Sequence, residues 1–324
     1  MYYSAQRAEK KIIALTPGGR PVYAMAYGEK NRVRGEANYS SALGAGNPSY
    51  FADPATKRPV LLLIGAVHGQ ETEGVAAIAN LVSLLETGKD LAGRENQTLL
   101  ALCEKARVVI VPVANPDGRA RVVPESMLGV KGAELRYWGQ GTWKDGSLCG
   151  WPECKKVHPI RSAAGFLGGY YNDDGVNLMH DNFFCPMAQE TTALLRLAED
   201  ERADLALHLH GGSNSQGDLL LPAYMSAAAN RTIETLAEKC RAVGALEGLT
   251  FRDGVSKKTD DGIKTPPSFN LPSAMHHICG AANCTYESNE CIIDEPGPHL
   301  THEQVLRMHM ILFEQALGIL CKVL

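Results

Sequence analysis

Residues 59–71 read Pro59-Val60-Leu61-Leu62-Leu63-Ile64-Gly65-Ala66-Val67-His68-Gly69-Gln70-Glu71. A continuous apolar run closed by glycine reads as a strand buried on both faces, and the Ala/Ile/Leu-spaced segment from Glu71 to Glu86 reads as the helix that follows it. After another helical stretch, Val108 to Val113 reads as a second strand of the same kind. The β-α-β order predicts an α/β fold, a mixed and mostly parallel sheet flanked by helices. Upstream, Ile12–Leu15 and Val22–Ala26 flank Pro17-Gly18-Gly19-Arg20, turn chemistry that predicts a hairpin. Downstream the pattern predicts a helix near 188–203, strands at 205–210 and near 219–221, a helix near 226–243 and a strand around 284–288. The last helix opens at Thr301-His302-Glu303-Gln304, which has the form of a capping box, and runs to about Ile319. Between Gly139 and Gly169, seven glycines and two tryptophans without sustained periodicity predict a long surface excursion. No repeat or composition break marks a linker, so residues 1–324 are expected to form one domain.

Composition narrows the function. With 32 Lys+Arg against 36 Asp+Glu the formal charge is −4, which argues against nucleic acid or an anionic membrane as the main partner. An apolar share of 45% and a charged share of 21% are those of an ordinary globular chain. Met1 to Lys11 carries basic residues with no apolar stretch behind them, and the run from Val60 to Val67 is too short to span a bilayer, so neither signal peptide nor membrane span is expected. The nine cysteines, Cys103, Cys149, Cys154, Cys185, Cys240, Cys279, Cys284, Cys291 and Cys321, are an odd set spread through core-like segments. That usage predicts a reducing, cytoplasmic setting rather than a disulfide framework.

The chemistry starts where the first strand ends. His68 and Glu71 lie three apart around the start of a helix, so both side chains can point at one spot above the strand's carboxyl end, and imidazole and carboxylate are both zinc ligands. A capping histidine and a first-turn glutamate stabilised by the helix dipole would read the same way. Ala206-Leu207-His208-Leu209-His210-Gly211-Gly212 is a second strand that ends in glycine as it delivers a histidine. His208 and His210 share a face, but His210 is at the carboxyl end, where open α/β sheets place their sites, and is the preferred third ligand. The late strand Asn283-Cys284-Thr285-Tyr286-Glu287-Ser288-Asn289-Glu290 carries acidic residues among apolar ones. A carboxylate beside such a metal would take a proton from water and pass it to a leaving amine. Glu287 and Glu290 are expected on opposite faces, with one of them facing the metal. Cys149-x₄-Cys154-x₃-His158 gathers three soft ligands without an obvious fourth for a structural metal. Gly165-x-x-Gly168-Gly169 lacks the buried strand a dinucleotide loop needs, and no Gly-x-Ser-x-Gly elbow occurs.

Together these residues resemble the M14-type zinc carboxypeptidases. Gly19-Arg20-Pro21-Val22-Tyr23-Ala24 is similar to the Gly-Arg-Pro opening of many members, and His68-x-x-Glu71 to their first two ligands. Asn115-Pro116-Asp117-Gly118 matches their Asn-Pro-Asp-Gly turn, Gly175-Val176-Asn177-Leu178 their Gly-Val-Asp-Leu, His210 their third ligand, and Thr285-Tyr286-Glu287 their Thr-x-Glu with the general base. The resemblance implies a carboxypeptidase-like domain over the whole chain, Zn²⁺ held by His68, Glu71 and His210, catalysis by Glu287 and by an arginine that polarises the carbonyl, and a peptide as substrate. Arg119, Arg121 and Arg136 compete for the arginine's role, and Arg136 beside Tyr137-Trp138 is preferred. Substrate contacts are expected from His180, Asn177 and Arg119. One departure bears on specificity: Met179-His180 stands where the family has the Asn-Arg that grips a terminal carboxylate. A histidine is a weaker, pH-dependent substitute, and the grip could instead come from an arginine of the excursion such as Arg161. Two other readings compete: a deacylase of N-acyl amino acids or other small amides, as in the related aspartoacylase and succinylglutamate desuccinylase branch, and a non-catalytic metal-binding relative.

Overall fold

The computed structural model describes residues 1–32, 37–46, 57–212, 214–257 and 267–323. Strands β1 (Glu9–Leu15) and β2 (Pro21–Tyr27) form the expected antiparallel hairpin, and the short helix α1 (Tyr39–Gly44) follows. Then come β3 (Val60–Gly65), α2 (Glu73–Thr87), α3 (Gln97–Lys105) and β4 (Arg107–Val111). The middle of the chain holds α4 (Pro116–Arg121), α5 (Gly132–Gly139) and the paired β5 (Gly141–Trp143) and β6 (Ala164–Leu167). The remainder is α6 (Gln189–Glu201), β7 (Leu205–Gly211), β8 (Asp218–Leu221), α7 (Ala227–Leu246), β9 (Ser256–Lys257), α8 (Leu271–Cys279), β10 (Ala282–Ser288) and α9 (His302–Leu320).

Among the described residues, eight strands make one sheet in the order β1-β2-β4-β3-β7-β10-β8-β9. The central neighbours β4-β3, β3-β7 and β7-β10 are parallel, whereas β2-β4 and β10-β8 are antiparallel. The quoted run explains the layering. Leu61 and Leu63 enter a core with α2, α3, α7 and α9, while Val60, Leu62 and Ile64 enter a second core with α6 and α8. Both faces of the strand are thus dry, which is why every position from 60 to 64 is apolar instead of every second one. The Thr301 capping box forms as read, with the Gln304 N–H donating to Thr301 Oγ1 and the Thr301 N–H to Gln304 Oε1. Among the described residues, no helix is long and apolar enough to cross a membrane.

The excursion differs from expectation. It carries the β5–β6 hairpin, a 3₁₀ turn at Glu153–Lys156 and a small core of its own, formed by Cys149, Cys154, Ile160 and Tyr171. Periodicity cannot show a core assembled from single residues of an irregular backbone. The candidate metal triplet dissolves into it. Cys149 and Cys154 are buried, burial pushes the Cys149 thiol up to about 11, and His158 Nε2 accepts the Asn177 N–H. Among the described residues Cys149, Cys154 and His158 are not gathered closely enough to hold one ion.

A buried ionic knot joins the hairpin to the loops above the sheet. Asp117 accepts from Arg20 Nη1 at 2.8 Å and from the N–H groups of Gly18 and Asp173 at 3.1 Å, and it takes the Thr16 hydroxyl as well. Burial alone would raise its pKa, but the hydrogen bonds from Thr16, Arg20 and the two backbone groups hold it below the usual aspartate value. Such a carboxylate stabilises the fold fully above the ordinary value near 3.8, and the contribution is lost as pH falls through the lower native one. Asp117→Asn is expected to cost about 2–4 kcal/mol at pH 7, and the gap to wild type should narrow below pH 4. Denaturant unfolding at pH 7 and pH 3 checks this; a pH-independent gap contradicts it.

Candidate metal centre

Adjacent parallel strands β3 and β7 set the site. Gly65 is in register with Leu209, so the chain beyond β3 and the last residues of β7 emerge side by side at the carboxyl edge of the sheet. Ala66 adopts a φ of 45°, and the turn that follows is pinned from outside: the Asn115 N–H donates to Ala66 O and the Gly69 N–H to Gly169 O at 2.7 Å. Asn115 Nδ2 donates to the same Gly169 oxygen, while its Oδ1 caps α4 through the Gly118 N–H. Gly69 is required by this packing, because a Cβ there would lie 2.1 Å from the Arg119 nitrogen. The Asn-Pro-Asp-Gly turn therefore shapes the loop that carries His68 and Glu71.

The result is three buried donors at one point. His68 Nδ1 lies 2.8 Å from Glu71 Oε1, His210 Nδ1 lies 2.8 Å from Glu71 Oε2, and the two Nδ1 atoms are 3.2 Å apart. Burial would raise the Glu71 pKa, but the two imidazoles outweigh it and hold the carboxyl at about 2. The Tyr170 ring stacks on His68 at 3.8 Å with an interplanar angle of 4°, which fixes the imidazole plane. His208 lies one layer deeper with no exposure; its Nε2 contacts Asn283 Oδ1, and burial lowers its pKa to about 3.

The centre opens on a cleft of about 870 Å³. In the sheet register Glu287 lies opposite His210 on one side and Asp218 on the other, so these three side chains form a row across β7, β10 and β8. The expectation that Glu287 and Glu290 diverge fails, because β10 ends at Ser288 and the pleat no longer governs Glu290. Both line the cleft, Glu287 half-buried and Glu290 fully buried. Gly211 and Gly212 make room for them: a Cβ at Gly212 would be 3.0 Å from Glu287 Oε2, and one at Gly211 3.0 Å from Glu290 Oε1.

The family model described as zinc carboxypeptidase matches residues 3–232, well over half of the chain. The chain belongs to the zinc carboxypeptidase family. The matched span includes His68, Glu71 and His210 and stops short of Glu287. No curated protein matches. Solved carboxypeptidase structures share the fold at low identity. A metallo-carboxypeptidase from Burkholderia cenocepacia has a TM-score of 0.58 at 14% identity over 98% of this chain and 65% of its own. Carboxypeptidase A from Helicoverpa armigera has 0.53 at 12% over 97% and 68%. A metallo-carboxypeptidase from Pseudomonas aeruginosa, solved with (2-guanidinoethylmercapto)succinic acid, has 0.52 at 14% over 97% and 65%. The chain spans about 65% of the Burkholderia relative's length.

The zinc of this family fits the residues present. Two imidazoles and a carboxylate each bring one ligand atom to a common point, all within 4.8 Å of one another, a donor set suited to one divalent cation. Both Nε2 atoms point away and lack a protein partner. Among the described residues this is the one group of His, Cys, Asp and Glu side chains gathered closely enough to hold a metal.

The remaining zinc-carboxypeptidase candidates divide. Arg136, exposed in the last turn of α5, and His180, in the turn Leu178–His180, both line the cleft. Arg119 and Asn177 do not. The Arg119 guanidinium folds back onto Val122 O at 2.9 Å, and the Asn177 side chain is used in accepting the Met179 N–H. Arg121 is tied to Asp173 and to the carbonyls of Leu167 and Gly168, and Arg161 to the Asp173 carbonyl. Sequence reasoning missed Gln70, Tyr170, Lys155, Asp218 and Arg252, all of which line the cleft. Asp218 alone carried a signal, an acidic residue opening an apolar strand.

Proposed function

We propose that the chain is a zinc-dependent metallopeptidase that hydrolyses the amide bond before the last residue of a peptide. The observation that carries this is the row in which Glu287 sits one strand from His210, a half-buried carboxylate beside the three-donor centre and open to the cleft. His68, Glu71 and His210 would hold Zn²⁺, which when bound supplies a Lewis acid that polarises the carbonyl and acidifies water. Glu287 takes the proton of the attacking water and returns it to the leaving amine. Tyr170 keeps His68 in plane, and its phenol stays protonated because burial, then Glu71, Glu287 and Glu290, push its pKa far up. Arg136, which lines the cleft, steadies negative charge developing on the carbonyl oxygen in this reading.

The test is product analysis on a mixed panel of peptides, their C-terminal amides and N-acyl amino acids. Release of single residues from peptide C-termini is expected. Cleavage confined to N-acyl amino acids would replace this reading with the small-amide deacylase, and full zinc occupancy without turnover with the non-catalytic one.

A further inference from the structure

Gly139, Gly168 and Gly169 let the two ends of the excursion close on the loop that carries His68 and Glu71. A Cβ at Gly168 would lie 2.1 Å from Gly139 O, and one at Gly169 would lie 2.9 Å from both Gln70 Oε1 and Val122 Cγ2. Hydrogen bonds hold the seam from both sides. The Gly169 N–H donates to Trp138 O at 2.7 Å, the Tyr170 N–H to Gly139 O at 3.0 Å, and the Gly69 N–H to Gly169 O at 2.7 Å. A side chain at Gly168 or Gly169 would part the seam, so glycine is a packing requirement there.

Two supports of the metal ligands stand against this seam. The first is Tyr170, the residue that follows it, whose ring lies parallel to the His68 imidazole at 3.8 Å, while His210 meets the same imidazole edge-on at 4.8 Å and 75°. The second is the buried Gln70. Its Nε2 donates to Glu71 Oε1 at 3.2 Å, and its amide is what a Cβ at Gly139 or Gly169 would meet. A histidine that holds a metal is ordinarily oriented by a hydrogen bond from its other ring nitrogen. No described protein group takes that bond from His68 Nε2, and the stacked ring of Tyr170 sets the imidazole plane in its place. The next residue, Tyr171, is anchored in the excursion's own core with Cys149, Cys154 and Ile160. Adjacent rings thus connect that core to a metal ligand.

We propose that the excursion is a clamp on the metal centre: through Tyr170 on His68 and Gln70 on Glu71 it orients two of the three ligands and so sets zinc affinity. Tyr170 and Gln70 are positioning residues. This rests on the zinc site of the reading above and not on a peptide being the substrate. The experiment titrates zinc into the purified, metal-free chain against a chromophoric chelator and records the visible spectrum of the cobalt-loaded protein. Tyr170→Leu removes the ring face and is expected to weaken zinc binding by about 10–100-fold, the range for groups that orient a metal ligand, and to shift the cobalt bands. Tyr170→Phe keeps the face and should bind within a few-fold of the parent with the parental spectrum. Gln70→Leu keeps the bulk, loses the donor to Glu71 and should weaken zinc binding as well. Trp151→Leu is the control: it removes a cleft aromatic whose ring is 6.1 Å from that of Tyr170, and should leave zinc affinity within a few-fold of the parent. Melting temperatures of the metal-free proteins separate lost affinity from lost folding, and Tyr170→Met with Gln70→Leu carries the test if Tyr170→Leu does not fold. Parental affinity in the variants without a ring, equal loss in Tyr170→Phe and Tyr170→Leu, or as large a loss in Trp151→Leu overturns the proposal. A parent that takes up no zinc overturns it together with the zinc site. A parent that binds zinc but releases no residues fails the peptidase reading alone, and the affinities still decide the clamp.

Discussion

Glu287→Gln is expected to bind zinc as the wild type does and to lower kcat by about 10²–10⁴-fold with little change in KM. The amide has the shape of the carboxylate and fits the space left by Gly212, but it cannot take a proton from water. An unchanged melting temperature would separate this loss from a folding defect. Glu290→Gln is the control: its side chain also lines the cleft, but it lies past the end of β10 and outside the His210–Glu287–Asp218 row. Its effect on kcat should stay within about 10-fold, well under the range for a lost proton acceptor. Should Glu290→Gln be the crippled variant and Glu287→Gln the active one, the general base has been assigned to the wrong carboxylate.

His210→Ala should reduce zinc affinity by more than about 100-fold, since even the partners that orient a metal ligand are worth about 10–100-fold. His208→Ala should leave zinc bound and act on stability instead. The two histidines share a face of β7, but His210 Nδ1 converges on Glu71 while the His208 ring is fully buried against Asn283 one layer down. Removing the His208 ring opens a cavity under the site, for which a lower melting temperature with near-wild-type zinc content is the expected signature. Elemental analysis and thermal unfolding of both variants check the pair. Equal zinc loss in both, or loss in His208→Ala alone, contradicts the assignment.

What the sequence disclosed is local. The apolar run of β3, the turn between β1 and β2 and the Thr301 cap depend on residues a few positions apart, so pattern and propensity suffice to read them. The same applies to α8, which went unnoticed although Asn270 caps it, Pro272 sits in its first turn and Gly280 ends it at a φ of 78°; at nine residues its periodicity is short. His68, Glu71 and His210 were legible as ligand types, but their convergence depends on β3 and β7 being neighbours, a property of the sheet order. Motif position likewise did not reveal side-chain direction, which is why Arg119 and Asn177 fell outside the cleft while Arg136 and His180 lie on it. Arg252, and its pairing with Asp218, were invisible for the same reason. They are 34 positions apart and meet because the chain returns after α7 to pair β9 with β8.

The most direct test of the account is zinc content measured together with release of C-terminal residues, on the purified chain as isolated, after chelation and after zinc is restored. The account predicts one zinc per chain, hydrolysis that disappears with the metal, and recovery when zinc alone is returned. Hydrolysis that persists in chelated protein free of zinc, or a chain that binds no zinc at stoichiometric concentration, would contradict it.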